Sequence, residues 1–185
     1  CFPSRLLSKG SVREIDSPGD VLERANDIIV PDSPDGMFVT IFYAVLDLDT
    51  GVLEYANAGH NQPLLLRAAT CQVEQLSRGG MALGVQEGNH IQEGHTTLQP
   101  GDYLVLYTDG VTEAFSPEYD PFGEERLRAT ISSAAGCAAP PVEPPSAQLL
   151  LSGLDQAVQA FIGSGQPSDD LTVLVLYRCE TTDDD

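Results

Sequence analysis

Two acidic turns in this 185-residue sequence carry the residue types that hold a hard cation. The first is Thr108-Asp109-Gly110, which ends the apolar run Tyr103-Leu104-Val105-Leu106-Tyr107; the second is Ser168-Asp169-Asp170, immediately before the apolar run of residues 171–177. A short Val-, Leu- and Tyr-rich run entered by the turn signal Pro100-Gly101-Asp102 reads as a buried strand, so each acid stands at a strand end. An ionised Asp there must be hydrated, paired or bound to a cation, because an isolated buried carboxylate costs many kcal/mol. Mg²⁺ and Mn²⁺ prefer carboxylate and water oxygens, and Mg²⁺ takes only one or two carboxylates while keeping several waters. Two such ions can activate a shared water and clamp a phosphoryl group. Gly110 supports that reading by letting the chain turn tightly or a ligand approach the backbone. Asp-Gly and Asp-Asp pairs are also ordinary turn residues, so a metal-free domain whose acids only make turns accounts for either one taken singly.

The remaining polar candidates are weaker. His60, in Ala58-Gly59-His60-Asn61, reads as a hydrogen-bonding residue after a strand rather than as a general acid, although a side chain titrating near 6.5 serves either role. His90 and His95 have no acid at ligand spacing and read as surface residues. Gly79-Gly80 marks a loop near the site and is no nucleotide-binding fingerprint, since no strand-to-helix turn of the required spacing surrounds it.

The elements that must position these residues follow from periodicity. Ser17 caps a helix with Pro18 at its first position and Asp20 near the positive end of the dipole; Val21, Leu22, Ala25, Ile28 and Ile29 share one face, and Pro31 ends the pattern. Residues 38–47 and 52–58 form a hairpin across Asp47-Leu48-Asp49-Thr50-Gly51. Short strands follow at 64–67, 72–76 and 90–98. Strands joined by turns pair antiparallel, which disfavours a doubly wound parallel sheet. Residues 124–131 form a helix with Leu127 and Ile131 facing inward, and 132–145, rich in Ala, Pro and Ser, form a loop. A second long helix, capped by Ser146, buries Leu150, Leu151, Leu154, Val158, Phe161 and Ile162 and stops at Gly163-Ser164-Gly165-Gln166-Pro167. Residues 171–177 are the last strand, and the sum is an α+β domain of antiparallel strands with helices before and after them.

Length and charge bound the function. The chain is long enough for one core and needs no second. A formal net charge of -19 argues against nucleic acid or an anionic membrane as a partner, both of which are bound through basic residues. No apolar run reaches the roughly 18–20 residues that span a bilayer, and there is no signal peptide. The four cysteines, Cys1, Cys71, Cys137 and Cys179, are widely spaced, which makes a zinc site or a dense disulfide framework improbable. These features together point to the cytoplasm. The start at Cys1 reads as the beginning of a fragment, with residues 1–178 as one domain and 179–185 as an acidic, disordered tail.

Several stretches occur in a telling order: Met37-Phe38-Val39-Thr40-Ile41-Phe42-Tyr43, Ala56-Asn57-Ala58-Gly59-His60, Pro100-Gly101-Asp102, Leu106-Tyr107-Thr108-Asp109-Gly110-Val111-Thr112-Glu113-Ala114, Phe122-Gly123-Glu124-Glu125-Arg126-Leu127 and Asp169-Asp170-Leu171-Thr172. The ordered set resembles the SpoIIE-type, RsbU-like branch of the PPM metal-dependent serine/threonine protein phosphatases, over nearly the whole chain. That resemblance implies an αββα sandwich of two antiparallel sheets flanked by helices, with a two-metal Mn²⁺ or Mg²⁺ centre at one edge. It implies that Asp109 and Asp169 are metal ligands, with Asp170 and Gly110 supporting, and that a metal-bridging hydroxide rather than a side chain attacks phosphorus. The implied substrate is a phosphoserine or phosphothreonine on a STAS-type anti-anti-sigma factor, the implied context is upstream sensory or receiver domains, and a dimer is admitted. The family's first metal motif, Gly-Asp-x-x-Gly-x-Gly, has no match here. The expectation is therefore a phosphatase domain that lacks its N-terminal strands and is weak or inactive, with a pseudophosphatase, a regulatory binding module, as the alternative.

Overall fold

The computed structural model describes residues 16–32, 36–77, 79–137, 146–163 and 169–179. Residues 138–145 of the expected 132–145 loop, the helix stop beyond Gly163 and residues 180–185 of the expected 179–185 tail lie outside the described residues. The element order is α1 Pro18–Asp32, β1 Ile41–Leu46, β2 Val52–Ala58, β3 Leu64–Arg67, β4 Gln72–Gln75, β5 Glu93–Thr97, β6 Tyr103–Tyr107, α2 Asp109–Thr112, α3 Gly123–Ala134, α4 Ala147–Ile162 and β7 Val173–Tyr177.

The strands form two antiparallel sheets, one in the order β1-β2-β5 and the other β4-β3-β6-β7. Continuous apolar runs explain the layering. In β3, Leu64 and Leu66 point to one side while Leu65 points to the other, and β6 divides Tyr103, Val105 and Tyr107 from Leu104 in the same way. The inner faces meet in a cluster of Leu53, Tyr55, Leu65, Leu76, Leu98 and Leu104. Outside the four-stranded sheet, α3 and α4 add Leu127, Ile131, Leu150, Leu154, Val158 and Ile162. Outside the other sheet, Leu22 of α1 packs on Ala56 and Ala58. The result is a helix–sheet–sheet–helix sandwich of the α+β class. Among the described residues β7 has β6 as its one strand neighbour, and its Leu174 and Leu176 are 50% and 38% exposed.

Boundaries depart from the sequence reading at defined places. Pro31 sits inside the last turn of α1 instead of ending it, where the missing N–H forfeits only one helical bond. Residues 38–40 fall outside β1, and Val39 instead pairs with Leu83 in an isolated bridge. α3 runs three residues past Ile131, to Ala134. Ser146 does cap α4, its hydroxyl accepting from the Leu149 N–H at 3.1 Å.

Two internal ties were not legible. The pairing of Cys71 with Cys137, 66 residues apart with 5.7 Å between Cα atoms, joins the β3–β4 turn to the end of α3. Among the described residues there is thus one disulfide, a pairing that the expectation of no dense framework left open. Asp102, 2% exposed, accepts from the Ala68 and Gln99 N–H groups at 2.9 Å each and from Arg67 at 3.0 Å, so the Pro100-Gly101-Asp102 motif is a structural clamp at the start of β6. None of the helices among the described residues is long and apolar enough to cross a membrane.

Candidate metal centre

β6 and β7 are neighbours, and their register sets Tyr107 opposite Val173. The residues just past that pair therefore meet at one end of the sheet. The Thr108 N–H donates to the Thr172 carbonyl at 3.1 Å, the Thr172 N–H donates to Thr108 Oγ1 at 3.1 Å, and that hydroxyl in turn donates to the Asp170 carbonyl at 3.1 Å. One threonine side chain thus joins the two acidic turns. Thr108 was missed in the sequence because its partners lie more than sixty residues away; its only local signal was its place before Asp109.

Gly110 completes the joint. A Cβ built there would fall 2.4 Å from the Asp170 carbonyl oxygen, so a side chain cannot be accommodated where the two turns touch. Asp109 does not lie in an open loop as its Asp-Gly pair suggested. It opens the single helical turn α2, whose Val111 is buried in the core under α4. Thr108, in the cap position, makes no side-chain cap bond, because its hydroxyl is committed to the Asp170 turn. The exposed Asp109 and Asp169 are oriented alike: each turns Oδ1 back to the following N–H, at 3.0 Å for Gly110 and 2.7 Å for Asp170.

The same end of the sandwich receives His60. Leu64 pairs with Val105, so the residues leading into β3 run beside the end of β6. Asn57 Oδ1 accepts from the His60 N–H at 2.8 Å, and Thr40 Oγ1 lies 3.3 Å from His60 Nδ1. Burial lowers the His60 pKa below its ordinary value, and the nearby Asp109 charge opposes that shift. The structure therefore brings His60 to Asp109. Asn57 is fully buried and its Nδ2 has no hydrogen-bond partner among the described residues; a donor left unpaired in a protein interior costs roughly 1–3 kcal/mol. Its carbonyl accepts from the Gly79 and Gly80 N–H groups at 3.1 and 3.0 Å, which attaches the Gly79-Gly80 loop to the end of β2 that leads to His60.

The other histidines lie elsewhere. His90 is 80% exposed, yet it has an acid partner that spacing could not show, Glu23 Oε1 of α1 at 2.7 Å. His95 is exposed on β5. Among the described residues no group of three or more His, Cys, Asp or Glu side chains forms a ready metal cage. Asp109 and Asp169 offer oxygen alone, which fits a hard cation that keeps most of its waters.

A family model described as Stage II sporulation protein E (SpoIIE) matches residues 5–178. The chain belongs to the SpoIIE family. It is 32% identical over 154 residues to Protein IcfG of Synechocystis sp., covering 83% of this chain and 23% of IcfG. It is 31% identical over 96 residues to the phosphoserine phosphatase RsbU of Bacillus subtilis, covering 52% of this chain and 29% of RsbU. The chain thus spans between a fifth and a third of the length of these curated relatives. A manganese-presoaked structure of the SpoIIE phosphatase domain from Bacillus subtilis superposes with a TM-score of 0.61 at 18% identity, over 92% of this chain and 70% of that one. The SpoIIE family is the phosphatase branch that the ordered motifs resembled, and the shared fold is the two-sheet sandwich described above.

Proposed function

We propose that this SpoIIE-family chain hydrolyses a phosphoserine or phosphothreonine on an anti-anti-sigma-factor-like protein, with Mn²⁺ or Mg²⁺ held by Asp109 and Asp169. The observation that carries this reading is the Thr108 joint, which holds two acids sixty residues apart in one place. Each acid also bonds the N–H that follows it, as an ordinary turn residue does, so the meeting of the two turns, rather than either acid alone, supports the reading. When bound, the ions would supply an activated water and neutralise phosphoryl charge. The chain's own residues supply position: α2 anchors Asp109 through buried Val111, and β6–β7 pairing fixes the spacing of the two turns. Asp170 and Gly110 support the site through backbone contact rather than through side-chain ligation. The phosphoprotein partner is inferred from the kinship to RsbU, a phosphoserine phosphatase, and sensory or receiver domains in the same protein are inferred from the family resemblance alone.

A second reading, a pseudophosphatase that binds a phosphoprotein without turnover, draws support from the lack of a third acidic ligand among the described residues. Phosphate release from a phosphoserine-bearing STAS protein, measured with and without Mn²⁺, separates the two. Release that depends on Mn²⁺ and disappears in Asp109→Asn and Asp169→Asn supports the enzyme. Tight binding of the phosphoprotein with no release supports the binding module, and indifference to both substitutions sinks the metal assignment.

A further inference from the structure

The residues around His60 are arranged with more constraint than a surface turn requires. Gly59 has φ +75° and its missing Cβ would lie 2.8 Å from the Ala82 nitrogen, so the backbone before His60 is pressed against the 79–83 loop. The His60 N–H is held by Asn57 Oδ1 at 2.8 Å, from a side chain that is fully buried and whose own Nδ2 has no partner among the described residues. Thr40 Oγ1 occupies Nδ1 at 3.3 Å. Backbone and one ring nitrogen are therefore fixed, and no described residue bonds Nε2. The connection that carries His60 enters β3 beside the end of β6, where Asp109 stands. The two side chains are close enough for the Asp109 charge to act on the ring, yet no hydrogen bond joins them. The imidazole is thus held at Nδ1 beside the Asp109 turn, with Nε2 unengaged by any described residue.

We propose that His60 is a phosphate-contacting residue, its Nε2–H donating to a phosphoryl oxygen of the substrate beside the Asp109 turn. This rests on the metal-dependent phosphatase reading above. Donation from Nε2–H requires the tautomer in which Nδ1 accepts, and the Thr40 hydroxyl, 3.3 Å from Nδ1, is able to donate to it. Asn57 is then a positioning residue, because a buried amide with an unsatisfied donor is a poor choice for stability alone and a reasonable one for fixing the His60 backbone. The Gly79-Gly80 loop, bonded to the Asn57 carbonyl, braces the same turn.

The test measures two affinities on the protein at its full natural length: Mn²⁺ alone, by electron paramagnetic resonance, and inorganic phosphate at saturating Mn²⁺, by calorimetry. His60→Ala should leave the Mn²⁺ affinity within about twofold and weaken phosphate about tenfold, the loss of one hydrogen bond to a charged group. His60→Gln places an amide N–H where Nε2–H was and should restore most of the loss, whereas His60→Asn, whose amide reaches only the Nδ1 position, should not. Unchanged phosphate binding in His60→Ala, an equal loss of Mn²⁺, or identical behaviour of the Ala and Gln variants would each overturn the proposal. Asp109→Asn separates the two levels. If it abolishes Mn²⁺ binding while His60→Ala keeps its phosphate affinity, the His60 assignment alone is wrong; if it binds Mn²⁺ as the parent does, the metal reading fails and this inference with it.

Discussion

The Thr108 hydroxyl donates to the Asp170 carbonyl across 3.1 Å while accepting from the Thr172 N–H at the same distance. A hydroxyl used in both directions fixes the order of the two turns as well as their spacing, because sliding β7 by one residue would break both bonds at once.

Replacing Thr108 with Val keeps the shape and removes both bonds. The expected cost is about 1–3 kcal/mol of folding stability, read from denaturant unfolding, with a concurrent loss of Mn²⁺ affinity. Thr108→Ser should retain most of each. A Val variant that binds Mn²⁺ normally would show that the turns hold their spacing without the hydroxyl.

Gly110→Ala probes the contact between the turns. The new methyl would meet the Asp170 carbonyl, so the turns must separate, at a cost of about 1–3 kcal/mol. Phosphatase activity should fall by more than stability does, since the displaced segments carry the candidate ligands. Gly123→Ala is the control: its φ is +75° but open space surrounds it, so it should cost stability without touching activity.

The Cys71–Cys137 link closes a loop of 66 residues and should stabilise the oxidised chain by about 4 kcal/mol in the chain-entropy account. Unfolding in guanidinium with and without dithiothreitol measures this directly, and Cys71→Ser should behave like the reduced protein. Equal midpoints in all three would show that the two thiols are not joined in solution.

Acid should loosen α1 from its sheet. The Ile91 N–H, followed by His90, holds the Glu23 carboxyl below its ordinary value, against the opposing effect of burial. A depressed carboxyl contributes stability that is present above its unfolded pKa near 4.5 and is lost as pH falls through the lower folded value. The acid limb of a stability–pH curve should therefore flatten in Glu23→Gln. His90→Ala should shift it by a smaller amount, and parallel curves for parent and Glu23→Gln would refute the assignment.

Much of this architecture could be read from residues alone, for identifiable reasons. β6 announced itself because a strand buried on both faces needs an unbroken apolar run, and α4 because Ser146 and Gly163 mark its ends. The two acidic turns could be singled out as strand-end carboxylates, but their meeting depends on β6–β7 pairing between residues far apart in sequence. α2 escaped notice because four residues are too few to show a helical period. The same distance problem hid the Thr108 joint, the disulfide and the Glu23–His90 pair. His60 was visible as a motif residue, yet its proximity to Asp109 depends on the fold, which carries the end of β2 across to β3.

The two acidic turns also hang on scaffolds of unequal stiffness. β6, which leads to Asp109, is hydrogen-bonded to β3 and β7 and packed on both faces, whereas β7, preceded by Asp169, has β6 as its one strand neighbour among the described residues and leaves Leu174 and Leu176 partly open to water. Amide protons of β6 should thus exchange only with global unfolding, while those of β7 exchange through local breathing. The Asp169 half of the site is therefore the one that a bound cation would steady the more.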